Sequence, residues 1–169
     1  MNHLCHCLSG DIYTKCCEPL HLGNDIAQSP EQLMRSRYCA FVISDINYIY
    51  ITHSPSTRSE ITRESIKQWN GQCEWLGLDI RNYDNNKGIV EFVAWYKNNG
   101  QLSFHHEISN FHQDEIDEQF NQLIKSTSSN KQVWYYLNAT YPNNVIKLPQ
   151  RNDLCICKSK KKYKKCCGC

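Results

Sequence analysis

The sequence has no apolar run long enough to span a membrane as a helix, which takes about 18 residues or more. The best candidate, 38–51, is interrupted by Ser44, Asp45 and Asn47. Tracts rich in proline or serine are also missing, and 40% of the residues are apolar. This composition argues against a membrane-inserted or mostly disordered protein. A chain of 169 residues predicts one ordinary domain with small attachments.

A recognisable export signal is missing as well. Residues 1–7 contain neither a basic segment nor the apolar segment of roughly 7–15 residues that follows it in secretory signals. We therefore expect a cytoplasmic protein in a reducing compartment, although the chain has 11 cysteines. Under those conditions clustered thiols indicate metal ligands rather than disulfides.

The cysteines are concentrated at the two ends, in two copies of one pattern. In each copy a C-x-C group is followed, after eight residues, by a pair of adjacent cysteines. The long stretch between the copies contains only Cys39 and Cys73, which we interpret as core thiols. The predicted metal ligands are Cys5, Cys7, Cys16 and Cys17 in the first copy and Cys155, Cys157, Cys166 and Cys167 in the second.

Zinc is the metal that fits four thiolates best, because it accepts a tetrahedral set of sulfurs and does not change its oxidation state. With all four positions filled by protein, each site would be structural. Two alternatives remain open from the sequence. His3 or His6 could replace a thiolate in the first site, and copper(I) could bind with help from the additional thiol of Cys169. Metal storage through all the thiols is a further alternative, which predicts more than two metals per chain.

The charge is distributed unevenly. Residues 150–169 carry seven Lys and Arg against one Asp, whereas the rest of the chain is acidic. Some of the positive charge offsets two thiolates of a four-thiolate zinc site, and the surplus predicts a surface for phosphate or an acidic protein. The lysines concerned are Lys158, Lys160, Lys161, Lys162, Lys164 and Lys165.

The stretch between the cysteine groups predicts helices first and then an antiparallel sheet, which is an α+β fold. Ser29 and Pro30 predict a helix start, with Gln32 completing a capping box, and further helices are predicted over 45–52 and 59–69. Strands are predicted over 74–83, 89–97, 101–112 and 133–139. Residues 114–125 predict an amphipathic helix that covers the mouth of the cavity on the concave side of the sheet or joins a dimer contact, and 126–130 a loop.

Five segments together resemble the YchJ-like family of bacterial proteins: LMRSRYCAFV (33–42), EWLGL (74–78), VEFVAWY (90–96), WYYLNATYP (134–142) and RNDLCICKSKKKYKKCCG (151–168). The resemblance implies a nuclear transport factor 2-like cone, a curved sheet wrapped around helices as in ketosteroid isomerases. It also implies flanking SEC-C motifs, the zinc knuckles found at the end of the SecA ATPase. Such a tail suggests a chaperone or ribosomal surface as a partner.

Three features depart from the family pattern. C-P-C-G-S-G becomes CHCLSG at 5–10 and CICKSK at 155–160, so that three of the four glycines are missing. E-R-S-R-F becomes EISNF at 107–111, and the helix at 114–125 looks like an insertion into a hairpin. Without its glycine, Lys158 would need a positive φ at a cost of about 1 kcal/mol.

His105 and Glu107 are the candidate chemical groups inside the cone. Strand alternation places them on one face of the sheet and His106 on the other. Arg35, Arg37 and Tyr38 could reach a carboxylate at the mouth of the cone. A buried Arg–Glu ion pair is the structural alternative to a catalytic Glu107.

These observations predict three parts: an N-terminal zinc knuckle (1–22), an α+β cone (29–142) and a C-terminal zinc knuckle (151–169). The leading hypothesis is a binding or adaptor module with two structural zinc ions and a lysine-rich tip for an acidic partner. The alternative is a small-molecule enzyme or ligand-binding protein that uses the cone. An open pocket containing Glu107 or His105 would favour the alternative, and a filled cone would favour the adaptor.

Overall fold

The computed structural model describes residues 3–125, 132–143 and 145–169. It confirms the α+β fold, with helices on one side of a curved four-stranded antiparallel sheet in the order β1-β2-β3-β4. The strands are β1 (Glu74–Asp84), β2 (Ile89–Asn98), β3 (Gln101–Glu115) and β4 (Gln132–Thr140). The loop predicted at 126–130 lies outside the described residues.

In the described residues, five α-helices accompany the sheet. They are α1 (Glu18–His21), α2 (Pro30–Ile43), α3 (Ile46–Ile51), α4 (Arg63–Asn70) and α5 (Glu118–Leu123). None of the helices in the described part of the chain is long and apolar enough to cross a membrane.

The start of α2 agrees with the prediction, because the Ser29 hydroxyl accepts the backbone N–H of Gln32. The predicted capping box is not completed, because the Gln32 side chain accepts the backbone N–H of Gln28 at 2.7 Å and not that of Ser29. The helix ends at Ser44, which has a left-handed backbone with φ 59°. Helix α4 starts later than predicted, since Thr62 rather than Ser59 caps it.

The helix predicted at 114–125 is shorter than expected. Asp114 and Glu115 pair with Val133 and Gln132 in β4, so the backbone ladder of the sheet keeps them extended. Asp117 then caps α5 by accepting the N–H of Phe120. Phe120 is buried with Ile51, Val133 and Tyr135, and α5 therefore packs over α3 and β4.

The main core lies between α2, α3 and the concave face of the sheet. Its members include Leu33, Tyr48, Leu78, Val90 and Phe92, all almost fully buried. The two ends of the chain lie outside this core. The C-terminal segment reaches the opposite face of the sheet, where Leu148, Pro149 and Leu154 share a depression with Trp95.

Candidate functional site

Each cysteine group gathers its four sulfur atoms into a cluster. Within each group all ligand atoms lie within 4.8 Å of one another, and the groups are the two predicted from the spacing. Four sulfurs bound to zinc at about 2.3 Å would be separated by about 3.8 Å. The Sγ–Sγ distances are 3.5 Å for Cys7–Cys16 and for Cys157–Cys166, and no disulfide is formed by any of the 11 cysteines. The donor sets therefore fit zinc.

The local structure of the two ends is the same. Cys5 N–H donates to Asp11 O and Leu8 N–H to Cys5 O, while Cys155 N–H donates to Lys161 O and Lys158 N–H to Cys155 O. A short 3-10 turn then leads to the second cysteine pair at Tyr13–Lys15 and at Tyr163–Lys165. The repeated spacing thus corresponds to a repeated backbone geometry, which we call the N-terminal knuckle (residues 3–17) and the C-terminal knuckle (residues 153–168).

Both knuckles use a left-handed backbone at the positions where the family pattern has glycine. The φ angles are 58° at Leu8, 99° at Gly10, 57° at Lys158 and 63° at Lys160. A left-handed conformation costs an L-residue about 1–2 kcal/mol. The positive φ expected at Lys158 is therefore present, and Lys160 has one as well.

The N-terminal knuckle is attached to α2. The Arg35 guanidinium donates to the carbonyl of Cys7 at 3.0 Å, and Glu31 holds the same guanidinium at 2.8 Å. His21 donates from Nε2 to the carbonyl of Ser36 at 2.9 Å and accepts the Tyr13 hydroxyl at Nδ1. Arg35 therefore faces the knuckle and does not enter the cone, unlike Arg37 and Tyr38.

Cys39 contributes a fifth thiol to this region. It projects from α2, is fully buried, and lies 3.9 Å from the sulfur of Cys5. It is a buried thiol as predicted, but its contact with the cysteine group was missed because helix α2 is far away in sequence. Neither His3 nor His6 belongs to the group of clustered ligands. Cys73 is only half-buried, because it follows α4 at the edge of the sheet.

The C-terminal knuckle contacts the edge strand β1. The backbone of Ile156 lies so close to Gly77 that a Cβ atom there would overlap the Ile156 carbonyl. Between the two knuckles is a cleft of about 650 Å³ that includes Tyr38, Trp75, Lys158 and Lys160. Five of the six predicted lysines are exposed, and Lys164 is half-buried.

A second cavity, of about 380 Å³, lies inside the cone. We call it the cone cavity. It opens to solvent beside Tyr141 and Trp69, whose exposed fractions are 65% and 36%. Its lining residues are Met34, Arg37, Tyr38, Phe41, His53, Ile61, Trp69, Trp75, Phe92, Ala94, His105, Glu107, Tyr136 and Tyr141. No residue of α5 is among them, so this helix does not cover the cavity.

His105 and Glu107 both line the cone cavity. The Glu107 carboxylate accepts His105 Nε2–H at 2.7 Å and is also hydrogen-bonded by the Ser109 hydroxyl. His106 points to the other face, as predicted, and pairs with Glu91 at 2.9 Å. Because Nε2 of His105 donates to the carboxylate, its Nδ1 is the ring nitrogen left to accept a hydrogen bond.

The expected ion pair between an arginine of α2 and Glu107 is not formed. Arg37 is buried and donates to the Ile49 carbonyl and the Thr52 hydroxyl, each at 2.7 Å. Its guanidinium lies 4.7 Å from the centre of the Tyr136 ring. Among the described residues no carboxylate oxygen lies within 4.0 Å of this guanidinium, so Arg37 and Glu107 attract each other only at longer range.

His53 is a cavity residue that the sequence did not single out. It is 8% exposed, and its Nε2 is buried without a hydrogen-bond partner among the described residues. Burial, together with the charges of Arg37 and Arg58, lowers the pKa of His53 to about 4, so the ring is neutral at pH 7. A histidine after a short helix carries no periodic signal, which is why it was missed.

Comparison with known proteins agrees with this architecture. Residues 29–139 match the family described as YchJ, middle NTF2-like domain, and residues 151–168 match the SEC-C motif. A UPF0225 protein of Shewanella sp. (strain MR-7) is 41% identical over 174 residues, covering 96% of this chain and 94% of the relative. A UPF0225 protein of Geobacter sulfurreducens is 34% identical, with 99% of each chain covered.

Two solved structures are similar to most of the chain. The crystal structure of a SEC-C motif containing protein from Psychrobacter arcticus is 28% identical, with a TM-score of 0.65, and covers 97% of this chain and 94% of its own. The solution structure of a SEC-C motif containing protein from Rhodopseudomonas palustris is 29% identical, with a TM-score of 0.66, and covers 85% and 100%. The chain therefore belongs to the UPF0225 family, whose YchJ-type NTF2-like domain is followed here by a SEC-C motif.

Proposed function

We propose that the two knuckles each hold one structural zinc ion and that the cone between them binds a small molecule. The open cone cavity carries the second part of this proposal. It meets the criterion set from the sequence, because Glu107 and His105 lie inside a cavity that reaches solvent. Its volume of about 380 Å³ falls within the range of about 300–1,000 Å³ typical of small-molecule sites.

The zinc ions would act as cross-links rather than as reaction centres. Each cysteine group offers four sulfurs, so no position is left for a substrate. A unit of about 15 residues cannot bury enough surface to fold alone, and metal binding would supply the missing free energy. Thiolate zinc also favours the reducing cytoplasm as the location of the protein.

A neutral fluorescent dye, N-phenyl-1-naphthylamine, tests the cavity. We expect the zinc-loaded chain to bind one dye molecule, and Ala94→Leu to weaken binding at least tenfold because the larger side chain fills the cavity. Ala139→Leu, on β4 outside the cavity, serves as the control for strand substitutions. Equal dye binding by the wild type and Ala94→Leu, with both folded, would contradict the proposal.

A second candidate function is docking of an acidic protein to the lysine-rich tip. Lys158 and Lys160 line the cleft between the knuckles. Among the described residues, none of the six lysines of the tip takes part in an ion pair. Unpaired surface charge of one sign attracts a partner of the opposite sign and does so less strongly at high salt.

Poly-L-glutamate is a suitable probe for this surface. Replacement of Lys160 to Lys162 and Lys164 to Lys165 by glutamine is expected to abolish its salt-sensitive binding. Lys67→Gln with Lys87→Gln, two exposed lysines outside the tip, is the control. Unchanged binding of poly-L-glutamate by the tip variant would contradict the docking function. Binding of ribosomes but not of acidic protein would instead indicate a ribosomal partner.

A further inference from the structure

The cone cavity has one wall made of aromatic rings. Phe41, Trp69 and Trp75 form a cluster in which every pair of ring centres is separated by 5.3–5.5 Å. Phe92 lines the same cavity and lies near the His105 ring. Aromatic walls of this kind bury a flat apolar molecule by contact with ring faces and edges.

Apart from its two histidines, the cavity is lined by two charged side chains, and their charges balance. Arg37 contributes one positive charge and Glu107 one negative charge, and both are more than 90% buried. His53 is neutral at pH 7, because burial and the two neighbouring arginines lower its pKa to about 4. A charged ligand would leave one charge without compensation in a buried site, which is costly. The cavity is therefore suited to a neutral molecule.

One side chain that lines the cavity, His53, has an unpaired ring nitrogen. His53 Nε2 is buried and makes no hydrogen bond to any described residue, although its ring lines the cavity. Buried polar groups nearly always have a partner, so an imidazole at the wall of a cavity that is bonded to no described residue can pair with an atom of a ligand. A hydroxyl group can donate or accept, and it would satisfy His53 in either tautomer.

We propose, building on the ligand-binding function above, that the cone cavity binds a flat neutral molecule of two or three fused rings whose hydroxyl group hydrogen-bonds to His53. The aromatic wall contacts the ring system of the ligand. The opposite charges of Arg37 and Glu107 disfavour anions and cations, and His53 forms the hydrogen bond to the hydroxyl group. The hydrogen bond to Glu107 orients His105, whose Nδ1 adds a second hydrogen-bond acceptor near the opening of the cavity.

Three probes of similar size separate these features: 2-naphthol, naphthalene and 2-naphthoate. Each is titrated into the zinc-loaded full chain at pH 7, with quenching of tryptophan fluorescence as the signal, since Trp69 and Trp75 line the cavity. We expect 2-naphthol to bind about threefold to tenfold more tightly than naphthalene, as one hydrogen bond of about 0.5–1.5 kcal/mol requires. The anion 2-naphthoate should bind at least tenfold more weakly than 2-naphthol.

Variants then identify the group that reads the hydroxyl. His53→Leu should bind naphthalene normally but lose its preference for 2-naphthol, and His53→Gln should recover part of it. His106→Leu is a matched control, because His106 is equally buried and also has an unpaired ring nitrogen, but it lies on the other face of the sheet. It should keep the wild-type preference.

The outcomes separate the two proposals. Equal binding of all three probes would contradict the proposed preference for a neutral hydroxylated ligand but not the proposal that the cavity binds small molecules. Tighter binding of 2-naphthoate than of 2-naphthol would show that the cavity does not select neutral ligands. If folded His53→Leu still prefers 2-naphthol over naphthalene as the wild type does, His53 does not bind the hydroxyl group. If none of the probes binds and the dye fails as well, the ligand-binding function itself is wrong. The probe comparison on the wild type remains decisive even if His53→Leu does not fold.

Discussion

Replacement of Lys158 or Lys160 by glycine is expected to strengthen zinc binding by the C-terminal knuckle. Both residues have left-handed backbones, with φ of 57° and 63°. The conformation costs an L-residue about 1–2 kcal/mol and glycine almost nothing. If folding of the knuckle and binding of the proposed zinc ion are one event, relief of this strain should appear as tighter zinc binding.

The net gain is smaller than the strain, since glycine also gives the unfolded chain more freedom. That entropy offsets about 0.5–1 kcal/mol. About 0.5–1 kcal/mol should remain at each site, which corresponds to about a twofold to fivefold higher zinc affinity. The double variant should gain about fivefold to thirtyfold, provided that the two sites contribute independently.

Lys162→Gly is the matched control, because it removes the same charge from a residue whose φ is an ordinary −66°. This variant has no strain to lose and should bind zinc about twofold to fivefold more weakly. Chelator competition on the full chain, followed through the NMR amide signals of Lys161 and Gly168, reports on this knuckle alone. Equal effects of Lys158→Gly and Lys162→Gly would refute the strain argument.

Three further predictions concern metal, packing and pH. Protein purified without added metal should contain two zinc ions per chain, and a chelator should remove order at both ends while the amides of β2 stay protected from exchange. Gly77→Ala should destabilise the protein by about 1–3 kcal/mol in a denaturant titration, because its Cβ would displace the Ile156 backbone, whereas Gly71→Ala should have a smaller effect. His53 should make the protein less stable in acid, because folding lowers the pKa of this histidine from 6.5 to about 4. Its contribution of up to about 3 kcal/mol to the free energy of unfolding is therefore complete above pH 6.5 and is lost as the pH falls toward 4. His53→Gln should flatten this slope in melts recorded from pH 4 to 7.

Local sequence signals predicted the parts of the fold that depend on local chemistry. Ser29-Pro30 starts α2 because a hydroxyl cap and a fixed proline φ act within one turn. The thiol spacing predicted both cysteine groups, since each group is closed within 13 residues of chain. The alternation of side chains along a strand, which is also a local property, placed His105 and Glu107 on the cavity side of β3.

Contacts between distant segments could not be read in this way. The approach of Cys39 to Cys5 depends on how α2 docks against the N-terminal knuckle, and the end of β3 depends on its pairing with β4. A direct ion pair between Arg37 and Glu107 was expected, but Arg37 donates its hydrogen bonds to residues at the end of α3 instead. His53 acquires its unusual environment only because that guanidinium and the one of Arg58 lie nearby.

The knuckles and the cone cavity are parts of one structural arrangement. Tyr38 and Trp75 line both the cone cavity and the cleft between the knuckles, so a single aromatic wall separates the two spaces. Helix α2 presents Arg35 and Cys39 to the N-terminal knuckle and Arg37 to the cavity. On the proposal that the knuckles hold metal and depend on it for their shape, the position of this wall would depend on metal binding. Zinc at the ends of the chain would thereby preserve the cavity in the middle.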